Sequence, residues 1–162
     1  MHGSLEVPLA VKLLRLPSDK RMLVVGCGGG VAFPALSGLC NPSTLTGIDH
    51  DPDFLSQAAE QEGRTGNGAE LVLGDVQDMP FPDRSFDVVV DFGTAYHVPT
   101  PQLAISEIER VLDRGGILLY EAPLTQFLAH PLRTSGRRLA WNSARTLVPS
   151  RNAGLWKTRT KR

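Results

Sequence analysis

Residues 21–30 read Arg21-Met22-Leu23-Val24-Val25-Gly26-Cys27-Gly28-Gly29-Gly30. An apolar run of four, Met22 to Val25, ends abruptly in four glycines out of five residues. The run is short and unbroken rather than alternating, which suits a parallel strand buried on both faces. The glycines let the chain turn sharply and let another group approach the backbone without meeting a Cβ. A helix is expected directly after them, from Val31 to Leu39, with Pro34 tolerated in its first turn. Strand, glycine loop and helix together form the first βα turn of an open α/β sheet. Ligands of such sheets bind outside the carboxyl ends of the strands. By itself the loop leaves two readings open, a nucleotide-type site and a plain tight turn.

The same rhythm continues outward from this unit. Strands are expected at Thr44–Ile48, Glu70–Leu73, Phe86–Asp91 and Ile117–Glu121. Helices are expected from Pro52 to about Glu62 and from Pro101 to Leu112, the last closed by Arg114-Gly115-Gly116. Strand and helix alternate with short connections, so the predicted fold is a doubly wound, mostly parallel α/β sheet with right-handed crossovers. Ser4 caps an expected N-terminal helix. A helix within residues 124–148 and a last strand at Leu155–Thr160 are expected after the fifth strand. The 162 residues suit one domain.

Asp49 closes the second strand, 19 residues beyond Gly30. A carboxylate there is placed to accept both hydroxyls of a ribose. It is equally placed to cap a helix, because Asp51 and Asp53 surround the same helix start; these two read as cap and first-turn charge. The glycines follow a G-x-G-x-G pattern at Gly26, Gly28 and Gly30. The dinucleotide fingerprint asks for Gly or Ala one residue later, where this chain has Val31, which speaks against a nicotinamide enzyme.

Further along stand Gly74-Asp75-Val76, then Met79-Pro80-Phe81-Pro82, then Ser85-Phe86-Asp87-Val88-Val89, and finally Arg110-Val111-Leu112-Asp113-Arg114-Gly115-Gly116. With the glycine loop, this ordered set resembles class I S-adenosylmethionine-dependent methyltransferases of the small-molecule type, over about residues 20–121. The resemblance implies a Rossmann-like fold, S-adenosyl-L-methionine as cofactor and a small-molecule methyl acceptor. It implies that Gly26, Cys27, Gly28 and Gly30 line the methionine end of the cofactor. Asp49 would hold the ribose hydroxyls, with His50 beside the adenine. Asp75 would accept from the adenine amino group, the Val76 N–H would meet a ring nitrogen, and Asp91 would face the sulfonium region. The chain departs from the pattern at Val24, where the family usually carries an acid near the cofactor's ammonium group, and at Arg114, which replaces a common proline. It also stops where a final antiparallel hairpin is usually completed.

Methyl transfer is an in-line displacement, for which a protein supplies mainly proximity, alignment and electrostatics. A general base is needed only for an acceptor that is protonated at working pH. Gly93-Thr94-Ala95-Tyr96-His97-Val98 follows the fourth strand, in the loop that borders the methyl group in similar enzymes. His97 is the candidate proton acceptor and Tyr96 the candidate orienting group; the alternative for His97 is packing or capping the next helix. Asp91-Phe92-Gly93-Thr94 lacks the Pro-Pro-aromatic element of adenine and glutamine amino-group methylation, which disfavours DNA-base chemistry. No histidine or cysteine spacing suggests a metal site. A non-catalytic partner subunit with the same fold is the alternative that Val24 and the short C-terminus motivate.

The net charge is zero, from 17 Lys+Arg and 17 Asp+Glu, but all 17 acids lie between Glu6 and Glu121. Residues 1–121 carry −9 and residues 122–162 carry +9. The basic section reads as a solvated face balancing the acidic body, as an attractor for an anionic acceptor or RNA, or as a membrane-surface contact with Phe127, Leu128, Leu139 and Trp141. Tight nucleic-acid binding is not expected. Two cysteines, no apolar run long enough to span a membrane and no secretory-signal layout point to a cytoplasmic protein.

Overall fold

The computed structural model describes residues 16–121 and the backbone of residues 146–149. Its elements in chain order are β1 (Arg21–Val25), α1 (Phe33–Cys40), β2 (Thr44–Asp49), α2 (Pro52–Thr65), β3 (Ala69–Leu73), β4 (Phe86–Asp91), α3 (Pro101–Val111), β5 (Leu112–Tyr120) and β6 (Thr146–Pro149). They form one sheet of order β3-β2-β1-β4-β5-β6. The first five strands are mutually parallel, and β6 runs antiparallel to β5. This is the doubly wound architecture expected from the strand–helix rhythm.

Both faces of the sheet are covered. Along β1, Met22 and Val24 enter one apolar cluster with Phe33, Leu36 and Ala58 of α1 and α2. Leu23 and Val25 enter the opposite cluster with Ala104, Ile108 and Val111 of α3. Alternate residues of a strand point to opposite faces, so a run apolar at every position is what a doubly covered strand requires. Asp51 caps α2 by accepting from the Asp53 N–H at 2.9 Å, with Pro52 at the first helical position.

Three expectations are corrected. α1 begins at Phe33 rather than Val31, because Gly30 N–H bonds Cys27 O and Phe33 N–H bonds Gly30 O, extending the turn by two residues. Arg114-Gly115-Gly116 does not close α3. The helix stops at Val111, Leu112 already pairs with Phe86, and the next pairing is Val88 with Ile117, so the glycines sit in a bulge of β5. The fifth strand is therefore Leu112–Tyr120, longer at its start than the Ile117–Glu121 expected. β6 (Thr146–Pro149) takes up the end of the range within which a helix was expected. The N-terminal helix after Ser4, most of the 124–148 helix and the Leu155–Thr160 strand lie outside the described residues.

Register brings the carboxyl ends of the five parallel strands to one edge. Val25 stands opposite Ile48 on one side and Asp91 on the other, Asp49 opposite Leu73, and Asp91 opposite Tyr120. Asp49, Gly74-Asp75, Asp91 and Glu121 thus converge from distant parts of the sequence.

Candidate cofactor site

A cleft of about 390 Å³ opens at this edge. Gly26, Ile48, Asp49, His50, Gly74, Asp75, Val76, Gln77, Thr94, His97, Val98 and Pro99 line it. Of the residues singled out from sequence, Gly26, Asp49, His50, Asp75, Val76 and His97 share this wall. Cys27, Gly28, Gly30, Asp91 and Tyr96 do not line it.

The glycine loop is held by the strand-end acid. Gly28 N–H donates to Asp49 Oδ2 at 2.8 Å, and Asp51 N–H donates to Asp49 Oδ1 at 3.0 Å. Asp49 is 7 % exposed, so this carboxylate fixes the loop from below while its rim faces the cleft. Both readings of Asp49 made from sequence meet here, since it braces the turn into α2 and lines the cleft. His50 Nδ1 lies 3.5 Å from Asp49 Oδ1, on a largely exposed ring.

Two glycines need to be glycines for identifiable reasons. At Gly26, φ is +60° and a Cβ would collide with the Thr94 side chain. At Gly28, φ is +51° and a Cβ would meet nothing within 4 Å, so the backbone itself borders open space. Cys27 turns away and packs beneath the loop. Burial, followed by the charge of Asp49, pushes its thiol up to about 12, so it stays a neutral thiol at neutral pH.

The opposite rim is built on Asp75. Its carboxylate accepts from the Gln77 N–H at 2.8 Å and from Gln77 Nε2 at 3.1 Å. Gln77 Oε1 in turn accepts from the Thr100 N–H at 3.0 Å, tying this rim to the start of α3. Val76 is buried, with its side chain in the cluster shared with Ile48 and Ala95. Gln77 carries no recognised motif. Its only sequence signal is its position two residues after an aspartate, where the chain folds back on the carboxylate.

Asp91 organises the loop after β4. It is fully buried and accepts from Gly93 N–H at 2.9 Å, Thr94 N–H at 2.6 Å and Ala95 N–H at 3.1 Å. Burial raises its pKa while these three donors pull it back down. The anchored Thr94 donates its hydroxyl to Val25 O at 3.3 Å and closes over Gly26. His97 is exposed on the cleft side, its ring 4.4 Å from that of Tyr96. Val24 is 2 % exposed within the apolar cluster, so among the described residues no acid stands on β1 below the loop.

These features meet the demands of a nucleoside-bearing ligand. The cleft wall combines the Gly26 backbone, the carboxylates of Asp49 and Asp75 and the apolar side of Ile48, Val76 and Val98.

Residues 23–120 match the model of the methyltransferase domain family. The chain belongs to that family. It is 38 % identical over 101 residues to a fatty-acid O-methyltransferase of Mycolicibacterium smegmatis, an alignment covering 62 % of this chain and 36 % of that protein. It is 35 % identical over 113 residues to 2-methyl-6-phytyl-1,4-hydroquinone methyltransferase 2, chloroplastic, of Oryza sativa subsp. japonica, covering 67 % and 32 %. The chain thus spans about a third of the length of these curated relatives. In three dimensions it resembles the YcgJ protein of Bacillus subtilis with a TM-score of 0.65 and 26 % identity, over 76 % of this chain and 56 % of that one.

Proposed function

We propose that the chain is an S-adenosyl-L-methionine-dependent methyltransferase acting on a small organic acceptor. The observation that carries this reading is the cleft at the sheet edge, where Gly26, Asp49, His50, Asp75 and Val76 meet although 50 residues separate the first from the last. When bound, the cofactor supplies a methyl carbon already activated by its positive sulfur. Asp49 accepts the ribose hydroxyls, Asp75 the adenine amino group, and the Val76 N–H serves a ring nitrogen, with His50 beside the purine. Cys27, Gly28 and Gly30 shape the loop at the methionine end. Asp91 contributes through the loop it holds, keeping Thr94 over Gly26 and presenting His97 to the cleft. His97 takes a proton where the acceptor has one to lose, and Tyr96 helps to orient the acceptor.

The two relatives are named for acceptors that share a long apolar part but differ in head group, a carboxylic acid in one and a hydroquinone in the other. An apolar small molecule is the acceptor class we favour. Two buried, unpaired cysteines fit a cytoplasmic setting, and no described helix is long and apolar enough to cross a membrane. We take residues 1–162 to work as one methyltransferase unit.

Isothermal calorimetry with S-adenosylhomocysteine tests the reading. Binding is expected, with Asp49→Ala weakening it by about tenfold or more through lost charge-assisted hydrogen bonds. Absence of binding at millimolar ligand rejects it. Buried Val24 favours a second reading, a partner subunit that retains the fold without turnover. Cofactor binding with no methyl transfer to any acceptor of a broad panel is its signature. A melting-temperature shift with NAD, absent with the homocysteine compound, identifies an oxidoreductase instead.

A further inference from the structure

Gln77 lines the cleft beside Asp75 and is bonded at both ends of its amide. Its backbone N–H donates to Asp75 Oδ1 at 2.8 Å. Its side-chain nitrogen donates to the same oxygen at 3.2 Å and to Oδ2 at 3.1 Å. Its Oε1 accepts from the Thr100 N–H at 3.0 Å. An ionised carboxylate can only accept and a backbone N–H can only donate. The two neighbours therefore leave the amide one orientation, nitrogen toward Asp75 and oxygen toward Thr100. A side chain with a donor and an acceptor at its tip answers both, which a glutamate, a lysine or a methionine of similar reach does not.

These bonds also apportion the carboxylate. It has about four acceptor positions, two on each oxygen. Oδ1 receives two N–H contacts and Oδ2 one, all from Gln77. Among the described residues nothing else bonds this side chain, so the capacity left for a ligand lies on Oδ2. Asp75 is itself exposed. An exposed carboxylate without such a brace turns about its torsions and is hydrated on both oxygens, and a ligand has to order it on binding. Here Gln77 has already ordered it.

We propose that Gln77 is a positioning residue for base selection: by fixing the Asp75 carboxylate, it makes this rim prefer a purine that carries an amino group over one that does not. The inference rests on the methyltransferase reading above, which brings an adenine to Asp75, and adds the residue on which the preference depends. An N–H of the amino group takes the open position on Oδ2 as a charge-assisted bond. A purine without that group leaves the position unfilled and gains nothing from the brace. Gln77 acts through Asp75.

The test is calorimetry on the full chain with S-adenosylhomocysteine and with its deamino analogue, in which purine replaces adenine. The unmodified chain is expected to bind S-adenosylhomocysteine about tenfold or more tightly than the analogue. Gln77→Met, of similar length and without hydrogen bonds, should cut that ratio about threefold or more and leave affinity for the analogue nearly unchanged. In an Asp75→Asn background the same substitution should leave the ratio where Asp75→Asn alone puts it, because the two residues act as one unit. A role in folding alone would weaken both compounds alike. Equal weakening of both, a ratio that survives Gln77→Met, or an undiminished effect in the Asp75→Asn background overturns the proposal. Should Gln77→Met fail to fold, the unmodified chain still decides. Saturating S-adenosylhomocysteine should slow hydrogen exchange at the Thr100 N–H more than the saturating analogue does, because bonds in a chain strengthen one another; equal protection overturns the proposal. Failure of S-adenosylhomocysteine itself to bind rejects the methyltransferase reading, and this inference with it; its binding without a preference over the analogue rejects the inference alone.

Discussion

At Val24 a single side chain sets two demands against each other. It lies in the apolar cluster with Met22, Phe33, Leu36 and Val90, yet the resembling family places an acid at this position. Val24→Glu is expected to raise affinity for S-adenosylhomocysteine by about 10–100-fold, the worth of a charged hydrogen bond of about 1.5–3 kcal/mol. It is also expected to lower the melting temperature, because a carboxylate among apolar side chains is poorly solvated. Calorimetry and a thermal melt on one variant separate the two effects, and unchanged affinity shows that Val24 does not limit binding. Asp91 behaves in the opposite manner. Asp91→Ala orphans three N–H groups, two buried and one partly so, and is expected to cost about 3 kcal/mol or more. Faster amide exchange at Gly93, Thr94 and Ala95, with a lower urea midpoint, is the measurement. Both residues were visible in the sequence, one as a departure from a motif and one as a strand-end acid. That Asp91 serves its own loop was not visible, because hydrogen bonds to the backbone two to four residues ahead leave no pattern of residue types.

At the scale of elements, α3 grips the long loop before β4. Arg110 donates to Phe81 O at 2.7 Å, Met79 O at 3.0 Å and Asp83 Oδ1 at 3.0 Å, while Glu107 accepts from Met79 N–H at 2.8 Å and pairs with Arg110. The Arg110 side chain holds the Glu107 carboxyl below its ordinary range, and Arg21 does the same for Asp87 on β4. A carboxyl with a lower pKa folded than unfolded adds stability above its unfolded pKa and loses it as pH falls through the folded one. The urea midpoint is therefore expected to drop between about pH 5 and pH 3. Buried Asp91, with its raised pKa, works the other way over its own titration. Arg110→Gln should flatten part of the slope, and an unchanged slope would leave these pairs without a role in acid stability. β1, β3 and β4 were legible because each carries an apolar run ending in Gly or Asp. The two misplaced boundaries, at α1 and at Arg114-Gly115-Gly116, were not. Glycines mark a break in the chain without saying whether a turn or a strand bulge makes it.

For the whole molecule, charge is the coarse variable. The −9 of residues 1–121 includes the acids of the cleft edge, and the +9 of residues 122–162 follows directly after Glu121. Opposite charges of this size on one chain attract each other and compete with any polyanion for the basic section. Generic single-stranded RNA is accordingly expected to leave the mobility of the full chain unchanged at low micromolar protein. A shift that weakens steeply with added salt would reverse that expectation.

The amide of Gln77 bonds Asp75 through its nitrogen and Thr100 through its oxygen. One side chain thereby acts as a tie rod between the Asp75 rim of the cleft and the first turn of α3. The width of the cleft mouth is then not a property of the rim alone. A displacement at the start of α3 is thereby passed to Asp75, and one at Asp75 to the helix, through a single amide.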